Sequence, residues 1–466
     1  MKLLTATKVF TFAFGLFLGL AIWKFGNPVI FEHKIFTPEN SKEWLNQPWP
    51  PHWANWILLP FTLLGAGLII LVNRHRLAGR WLWLLPLAWL GWQFLSATET
   101  DDADLTSATI KQFTGVVICY FLGALLFTRA QLWRWLLPGL LAALTFCLVR
   151  GIDQHVFEYP REKQWLIEGE QCGWTNLAPE NVAELKVDHV IIRSTNSDAD
   201  IVNPGVLEKY KKGRVCGTLV YPNALSELIL LLWPVALALA FGATKKLKAP
   251  IRLAAITLTL FLGGAAFFWT GSKLGWLISL ALAGLFLLRR GWPAKLKLAA
   301  VATILVLGLG VFALRFHHYF ATGAPSAGAR YDYWRAAAQT TVDNLLLGSG
   351  PGTFQRPYER LKAPESEMAR LTHNDYLEQF SDSGVVGGLT YVAWVWLALV
   401  LAWKKLWRHG DEISFAVFAG LLGWCVQEIG EFGLYIPALA WTAFTLLGSL
   451  TGPAEKPDGV SNPPPL

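Results

Sequence analysis

One short stretch combines a histidine, an amide and an acid directly before an apolar run. It is "LTHNDYLEQFSDSGVVGG", residues 371–388. Thr372, followed three residues later by Asp375, fits a helix start in which the Thr372 side chain caps the first turn. His373 would then lie at a helix N-terminus, where the partial positive charge favours the neutral ring that a general base requires. The alternative is that these residues only cap the helix and that His373 is an exposed bystander.

Three cations in other polar segments have the chemistry to bind an anion beside this histidine. Arg330 lies in a predicted amphipathic helix, Arg214 just before an apolar run, and Lys273 in the turn "WTGSKLGW". Guanidinium forks and an ammonium point charge both suit phosphate oxygens, so together the three cations suit an anionic lipid head group. Each also has a simpler explanation, because Lys273 and Arg214 can snorkel to the membrane interface and Arg330 can face solvent.

The helix that carries Arg330 has a predicted cap and a predicted packed side. Ser326 is the expected cap, and Tyr331, Trp334, Ala338 and Thr341 recur at helical spacing. The helix is too polar to span a membrane, so it is expected to lie against the outer surface of the membrane body.

Other polar features carry weaker expectations. The segment "GSGPGTF" at 348–354 lacks the Gly-Lys-Ser/Thr ending of a nucleotide-binding loop, so it predicts a turn that can lend backbone N–H groups. His317 and His318 lack the carboxylate pattern that would make them metal ligands with His373, so no metal is expected. Acids within or near apolar spans are costly against lipid and are expected to line a polar interior; they are Glu227, Glu428 and Glu431.

The elements that must position these residues are membrane helices. The chain has 466 residues, 53% of them hydrophobic and 16% charged, a composition too apolar for a soluble domain. About twelve apolar runs have the length of a helical span. They are residues 6–23, 53–73, 81–96, 113–128, 135–149, 218–242, 253–270, 274–288, 298–314, 384–403, 413–429 and 434–450. The predicted fold is an all-α polytopic body over 1–450, followed by a proline-rich, disordered tail at 451–466.

The distribution of Lys and Arg predicts the orientation of this body. Most basic residues of the short loops fall in one alternating set, which includes Arg134, Lys245 and Lys404, and such residues resist translocation. Both termini are therefore expected in the cytoplasm and the long loops 150–217 and 315–383 outside. This topology accounts for the net charge of +7, so nucleic acid need not be invoked as a partner.

Two further expectations follow from this topology. The first span precedes "GLAIWKFG", a poor cleavage site, which favours an uncleaved helix over a signal peptide. Cys172 and Cys216 share the first external loop, where oxidising conditions allow a disulfide without requiring it.

Several segments in order resemble the O-antigen ligase and polymerase superfamily of bacterial membrane glycosyltransferases. "HN" followed after nine residues by "GVVG" at 384–387 looks like its signature, and "RYDYWRAAAQTTVDNLLLGSGPGTF" resembles its Arg-x-x-x-Trp segment and glycine-rich turn. "GTLVYPNALSELILLLWP" is similar to its Gly-to-Asn segment, and "TGSKLGWL" occupies the place of a Ser-Arg element. The resemblance covers roughly residues 214–390, whereas the first five spans match only in hydropathy.

The resemblance implies a GT-C type of membrane fold and a site on the periplasmic face of the bacterial inner membrane. The donor would be a glycan linked to undecaprenyl pyrophosphate. His373 would activate the acceptor hydroxyl, with Arg330 and Arg214 on the pyrophosphate and Asn374 in the substrate site. Lys273 departs from the family's arginine, which makes its role less secure. No cofactor is implied, because the energy comes from the donor bond.

Alternatives remain for the acceptor and for the class of protein. The acceptor is lipid A core in a ligase, another lipid-linked repeat in a polymerase, or, less favoured, a protein side chain. A transporter of lipid-linked glycans or ions would also have many spans and buried acids. It should show inverted repeats or matching broken helices, which the sequence does not reveal.

Overall fold

The computed structural model describes residues 2–73, 81–128, 130–194, 199–364 and 366–452. The chain is 79% helical. In chain order the α-helices are α1 (Lys2–Lys24), α2 (Ser41–Asn46), α3 (Pro51–Asn73), α4 (Leu84–Ser96), α5 (Ala103–Leu126), α6 (Ala130–Asp153), α7 (Tyr159–Gln171), α8 (Pro179–Val187), α9 (Pro204–Lys212), α10 (Pro222–Ala243), α11 (Ala249–Thr270), α12 (Lys273–Arg289), α13 (Ala294–Ala321), α14 (Pro325–Asp343), α15 (Gln355–Leu361), α16 (Asp375–His409), α17 (Glu412–Gln427) and α18 (Pro437–Thr451). Strands β1 (Ile191–Arg193) and β2 (Asp200–Val202) pair antiparallel. The prediction of an all-α polytopic membrane protein is confirmed.

The number of spans is not confirmed at twelve. Within the described chain, eight helices are long and apolar enough to cross a membrane. Every predicted span coincides with a helix, but α4, α12, α17 and α18 have only 13, 17, 16 and 15 residues. A helix of 17 residues is about 26 Å long, less than the roughly 30 Å of a hydrocarbon core.

The C-terminal helices form the centre of the membrane body. Nearly every residue of α18 is buried, whereas none of the most apolar window of α13 is. Helix α18 packs on α5 through Gly123 and Gly448. A Cβ at Gly123 would lie 2.1 Å from the Thr445 carbonyl oxygen, and one at Gly448 would lie 2.1 Å from that of Tyr120. Small residues permit this close approach, which dispersion forces stabilise inside a membrane.

Helix α16 is broken at the predicted "GVVG" motif. Ser383 (φ −132°, ψ 20°) and Gly384 (φ 66°, ψ −173°) interrupt its helical conformation. The positive φ is accessible to glycine at little cost. The Val385 N–H, released from the helix by the break, donates to the Leu345 carbonyl oxygen at 2.8 Å. The break thus fixes the first two turns of α16, which begin next to His373, at an angle to the membrane-spanning part.

Loop 150–217 is a small folded unit rather than an irregular connection. Helix α6 continues through a π turn at Gln154–Glu158 into α7. A separate apolar cluster holds α7 to the two strands through Leu166, Trp174, Ile191 and Val202. Cys172 and Cys216 are free thiols in this structure, so the permitted disulfide is absent.

Helix α14 differs from its prediction in two respects. Its N-cap residue is Ala324, and the Ser326 hydroxyl instead contacts the Tyr319 hydroxyl at 2.8 Å. Tyr331 is 68% exposed, because the buried side is formed by Tyr333, Ala336, Ala337 and Thr340. The expected side was therefore rotated from the buried side by about a third of a turn, and of the expected residues Trp334 packs against the buried cluster. The predicted tail lies mostly outside the described residues, as do the cations at 74, 76, 80 and 129.

The predicted orientation is testable with two single cysteines. In a background without the five natural cysteines, one replaces exposed Ser326 and the other replaces Leu247, which is 46% exposed. With the outer membrane permeabilised, a membrane-impermeant maleimide should label the cysteine at 326 in intact cells. The cysteine at 247 should react only after the inner membrane is broken. The opposite labelling pattern would reverse the topology.

The break in α16 gives a stability prediction. A Cβ at Gly384 would lie 2.2 Å from the Leu346 carbonyl oxygen, at a positive φ. Gly384→Ala should therefore lower the free energy of unfolding by about 1–3 kcal/mol. Thermal unfolding of the purified protein measures the change. Gly264→Ala is the matched control, since a Cβ there meets nothing within 4 Å. Equal melting temperatures for the two variants would contradict a strained break.

Candidate active site

A buried carboxylate, Glu431, lies at the centre of the polar cluster. It is in the connection between α17 and α18, and its side chain is 2% exposed. Its Oε1 accepts hydrogen bonds from Arg330 Nη2 at 2.7 Å and Asn223 Nδ2 at 2.6 Å. Its Oε2 accepts from the Tyr221 hydroxyl at 2.7 Å and lies 3.5 Å from His373 Nδ1. One carboxylate thus holds an arginine and approaches a histidine.

The residues around Glu431 come from separate segments of the chain. Tyr221 is the N-cap residue of α10 and Asn223 lies in its first turn. Arg330 lies on α14, and His373 directly precedes the cap of α16. Helices α10 and α17 pack together along their lengths, which brings the start of α10 to the residues that follow α17. Helix α14 in turn packs on α16.

The start of α16 differs from the predicted cap. Asn374 is the N-cap residue, and its Oδ1 accepts from the Leu377 N–H at 3.0 Å. Thr372 instead bonds the Glu378 carboxylate through both its N–H and its hydroxyl, each at 2.9 Å. The expected Thr372 cap was therefore wrong. His373 lies outside the helix with φ 51°, a left-handed conformation that histidine adopts more readily than most residues.

Aromatic side chains enclose the His373 ring without sealing it off. It stacks on Tyr333 with centroids 5.9 Å apart and meets Phe432 edge-on at 4.8 Å. Its side chain is 30% exposed. Its Nδ1 makes no hydrogen bond with acceptable geometry among the described residues, since Glu431 is too distant at 3.5 Å. The ring is therefore positioned by packing and remains accessible from one side.

The other two predicted cations lie near Arg330. Arg214 Nε donates to the Thr270 carbonyl oxygen at 2.6 Å, and its Nη2 donates to Asn223 Oδ1 at 2.7 Å. Asn223 therefore connects Arg214 to Glu431. Lys273 follows Thr270 by three residues, and its Nζ lies 3.9 Å from the centre of the Tyr319 ring. Arg214, Lys273 and Arg330 are close enough to repel one another electrostatically.

The charges in this cluster do not cancel. Burial alone would raise the pKa of Glu431, but the nearby His373 ring, the Arg330 charge and the Tyr221 hydroxyl outweigh it and lower that pKa, which keeps the carboxylate ionised. Burial lowers the pKa of Arg214, and the Arg330 charge adds to that effect while Glu431 opposes it. Arginine nevertheless stays protonated in proteins. Arg330 bonds Glu431 directly, while Arg214 and Lys273 add positive charge beside Arg330. Arg330 Nε is buried without a partner among the described residues. The excess positive charge suits an anionic ligand.

The acids predicted to line a polar interior are buried. Glu227 is 0%, Glu428 1% and Glu431 2% exposed. The Tyr221 hydroxyl lies 3.4 Å from Glu227 Oε1, and Glu428 Oε2 accepts from the Gly433 N–H at 2.6 Å. The polar cluster therefore extends inward from the histidine rather than ending at it.

The glycine-rich turn has a structural role in this fold. The N–H groups of Gly350 and Gly352 donate to the Asp382 carbonyl oxygen at 2.9 Å and to Asp382 Oδ2 at 2.7 Å. The Ser349 N–H donates to the Ser381 carbonyl oxygen at 3.1 Å. The turn thus braces the broken part of α16, and these N–H groups are not available to an anion. Among the described residues no group of three His, Cys, Asp or Glu side chains is arranged to hold a metal.

Sequence reasoning identified the cations and the histidine but not what joins them. Tyr221 and Asn223 were not singled out, and Glu431 was assigned only to a polar interior. The available signal was the cost of an acid beside an apolar span, which requires a partner. Asn374, a predicted substrate-binding residue, is 5% exposed and its side chain caps α16.

One segment of the chain is similar to a known protein family. Residues 258–392 match the family described as O-antigen ligase. No curated protein matches the chain. The matched segment contains Lys273, Arg330 and His373, while Arg214 and Glu431 lie outside it. The match covers less than a third of the 466 residues. Over that segment it supports the predicted resemblance to the O-antigen ligase and polymerase superfamily.

Proposed function

We propose that this protein transfers a glycan from undecaprenyl pyrophosphate to an acceptor hydroxyl outside the cytoplasm, as an O-antigen ligase with lipid A core as acceptor. The observation that carries the proposal is the arrangement around Glu431, which places a histidine beside a surplus of cations. A glycosyl transfer from a lipid pyrophosphate needs both a base such as histidine and cations. One group must take a proton, and others must hold a leaving pyrophosphate.

His373 acts on the acceptor as the general base. Its accessible ring takes the proton of the acceptor hydroxyl as the oxygen attacks the anomeric carbon of the donor sugar. Glu431 lies 3.5 Å from Nδ1 and is ionised, so it stabilises the imidazolium that forms. The Tyr333 and Phe432 rings hold the imidazole in place, which limits the reorganisation required during transfer.

The cations act on the donor by holding its pyrophosphate. As the bond between the anomeric carbon and the phosphate oxygen breaks, negative charge develops on the pyrophosphate. Arg330 retains a buried donor, Nε, after its bond to Glu431. Arg214 and Lys273 add positive charge nearby, so these side chains supply what a metal ion supplies in other pyrophosphate sites. The Asn223 amide bonds both Arg214 and Glu431, so it fixes the position of Arg214 relative to Glu431.

The polymerase of the same superfamily is the second candidate. It uses the same donor and the same proton transfer, and differs in the acceptor, which is another lipid-linked repeat. The geometry around Glu431 serves both reactions equally. The two are distinguished by the lipid-linked product that accumulates when transfer stops.

His373→Asn should abolish transfer while the donor still binds. The amide cannot act as a base but tolerates the left-handed backbone at this position. Loss of a general base costs about 10²–10⁴ in rate. The measurement is transfer by the purified protein, with donor binding in parallel. His317→Asn is the control, because that histidine is exposed and its Nδ1 bonds the Leu314 carbonyl oxygen of its own helix. Normal turnover by His373→Asn would refute the assignment.

The same variant identifies the acceptor in cells. Loss of capped surface glycan with accumulation of long lipid-linked polymer indicates the ligase. Accumulation of single lipid-linked repeats indicates the polymerase and contradicts the proposal.

Arg330→Lys should also impair transfer, because an ammonium cannot bond Glu431 and phosphate oxygens with the fixed fork of a guanidinium. Losing one such donor in the transition state costs on the order of 3 kcal/mol, roughly a hundredfold in rate. Arg335→Lys is the control, since Arg335 is exposed on the same helix. Steady-state kinetics with purified donor provide the measurement. If both lysine variants are fully active, Arg330 does not contact the pyrophosphate.

A further inference from the structure

A cavity of about 610 Å³ lies away from the Glu431 cluster. Its wall is apolar and includes Leu237 and Phe241 of α10, Phe286 of α12 and Ile304 of α13. Its rim is basic, with Arg289, Arg290 and Arg408 and a single acid, Glu412. A pocket with an apolar wall and a basic rim fits an amphiphile with an anionic head.

The position of this cavity separates it from the candidate active site. The cavity lies at the C-terminal ends of α10, α12 and α16, whereas Tyr221, Lys273 and His373 lie at their N-terminal ends. Helix α10 has 22 residues, which spans about 33 Å and thus about the thickness of a hydrocarbon core. The two sites therefore face opposite surfaces of the bilayer.

The three arginines differ in the contacts that they already make within the protein. Arg289 Nη2 donates to the Gly410 carbonyl oxygen and its guanidinium lies 4.1 Å from the centre of the Phe415 ring. Arg290 approaches Glu412 at 3.7 Å, but both side chains are more than half exposed, so this pair is weak. Within the described ranges no residue forms an ion pair with Arg408, which is exposed. Two guanidinium groups thus remain for a phosphate.

From this geometry we propose that the cavity binds one anionic phospholipid. The acyl chains lie along the wall of Leu237 and Phe286, and the head group phosphate bonds Arg290 and Arg408. Basic pockets between spanning helices bind such lipid phosphates, and each nearby cation contributes to the affinity. A soluble phosphate would contact only the basic rim and leave the apolar wall without a partner, so the occupant is the lipid. This site is independent of the proposed glycosyl transfer.

The test is lipid binding by the purified full chain, stripped of lipid in detergent. Native mass spectrometry measures its dissociation constants for phosphatidylglycerol and phosphatidylcholine. Phosphatidylglycerol should bind more tightly, and Arg290→Gln with Arg408→Gln should weaken it by about tenfold. Phosphatidylcholine has the same phosphate but no net charge, so its binding should weaken less. Arg408→Gln alone should give a smaller loss in the same direction, which keeps the test valid if the double variant does not fold.

Two further variants separate the cavity from general surface charge. Arg252→Gln removes an exposed arginine of α11 outside the cavity and should leave both affinities unchanged. Leu237→Trp places a larger side chain in the apolar wall, which narrows the cavity without changing its charge. It should weaken phosphatidylglycerol binding. The proposal is overturned if Arg252→Gln reduces binding as much as Arg408→Gln, if Leu237→Trp has no effect, or if the wild type does not distinguish the two lipids.

Discussion

The buried carboxylate of Glu431 is the constraint on which the candidate site depends. An ionised acid with a side chain only 2% exposed is costly unless it is paired and hydrogen-bonded. Arg330, Asn223 and Tyr221 meet that requirement directly, and each arrives from a part of the chain distant in sequence. Because the same carboxylate fixes Arg330 and lies near His373, the positions of the histidine and of Arg330 are set together. Without this carboxylate, the neighbouring cations would repel one another with no counter-charge between them.

A second constraint comes from the bilayer, where exposed backbone polar groups are not tolerated. The break in α16 releases backbone groups next to the site, and the structure pairs them inside the protein. Val385 donates to Leu345, while the glycine-rich turn donates to the Asp382 side chain and to the carbonyl groups of residues 381 and 382. Two sequence motifs that are 30 residues apart thus have one shared physical role. They stabilise a bent helix start, and His373 lies directly before it.

The parts of this structure that sequence predicted are those set by local composition. Apolar length predicted where the helices lie, and residue type selected three cations that the structure brings close to one another. Short-range patterns were less reliable, since Thr372 has the spacing of a capping residue but bonds Glu378, while Asn374 caps the helix. The role of Glu431 could not be predicted, because it arises only when α10, α14 and α16 converge. Helical periodicity also failed for α14, whose buried side packs in one cluster with Phe354 and Tyr358.

The short helices help to explain how such a site can serve a lipid-linked substrate. Helices α12 and α17 are shorter than a hydrocarbon core is thick, so their ends lie close to its boundary or draw the bilayer thinner around them. Lys273 begins α12, and Glu431 follows α17 by only a few residues. The cations and the carboxylate are therefore held near the level of lipid head groups. In the proposed reaction, this level lets the donor pyrophosphate reach them while its lipid tail stays in the membrane. The exposed side of the His373 ring is then open to the proposed acceptor sugar from the aqueous phase.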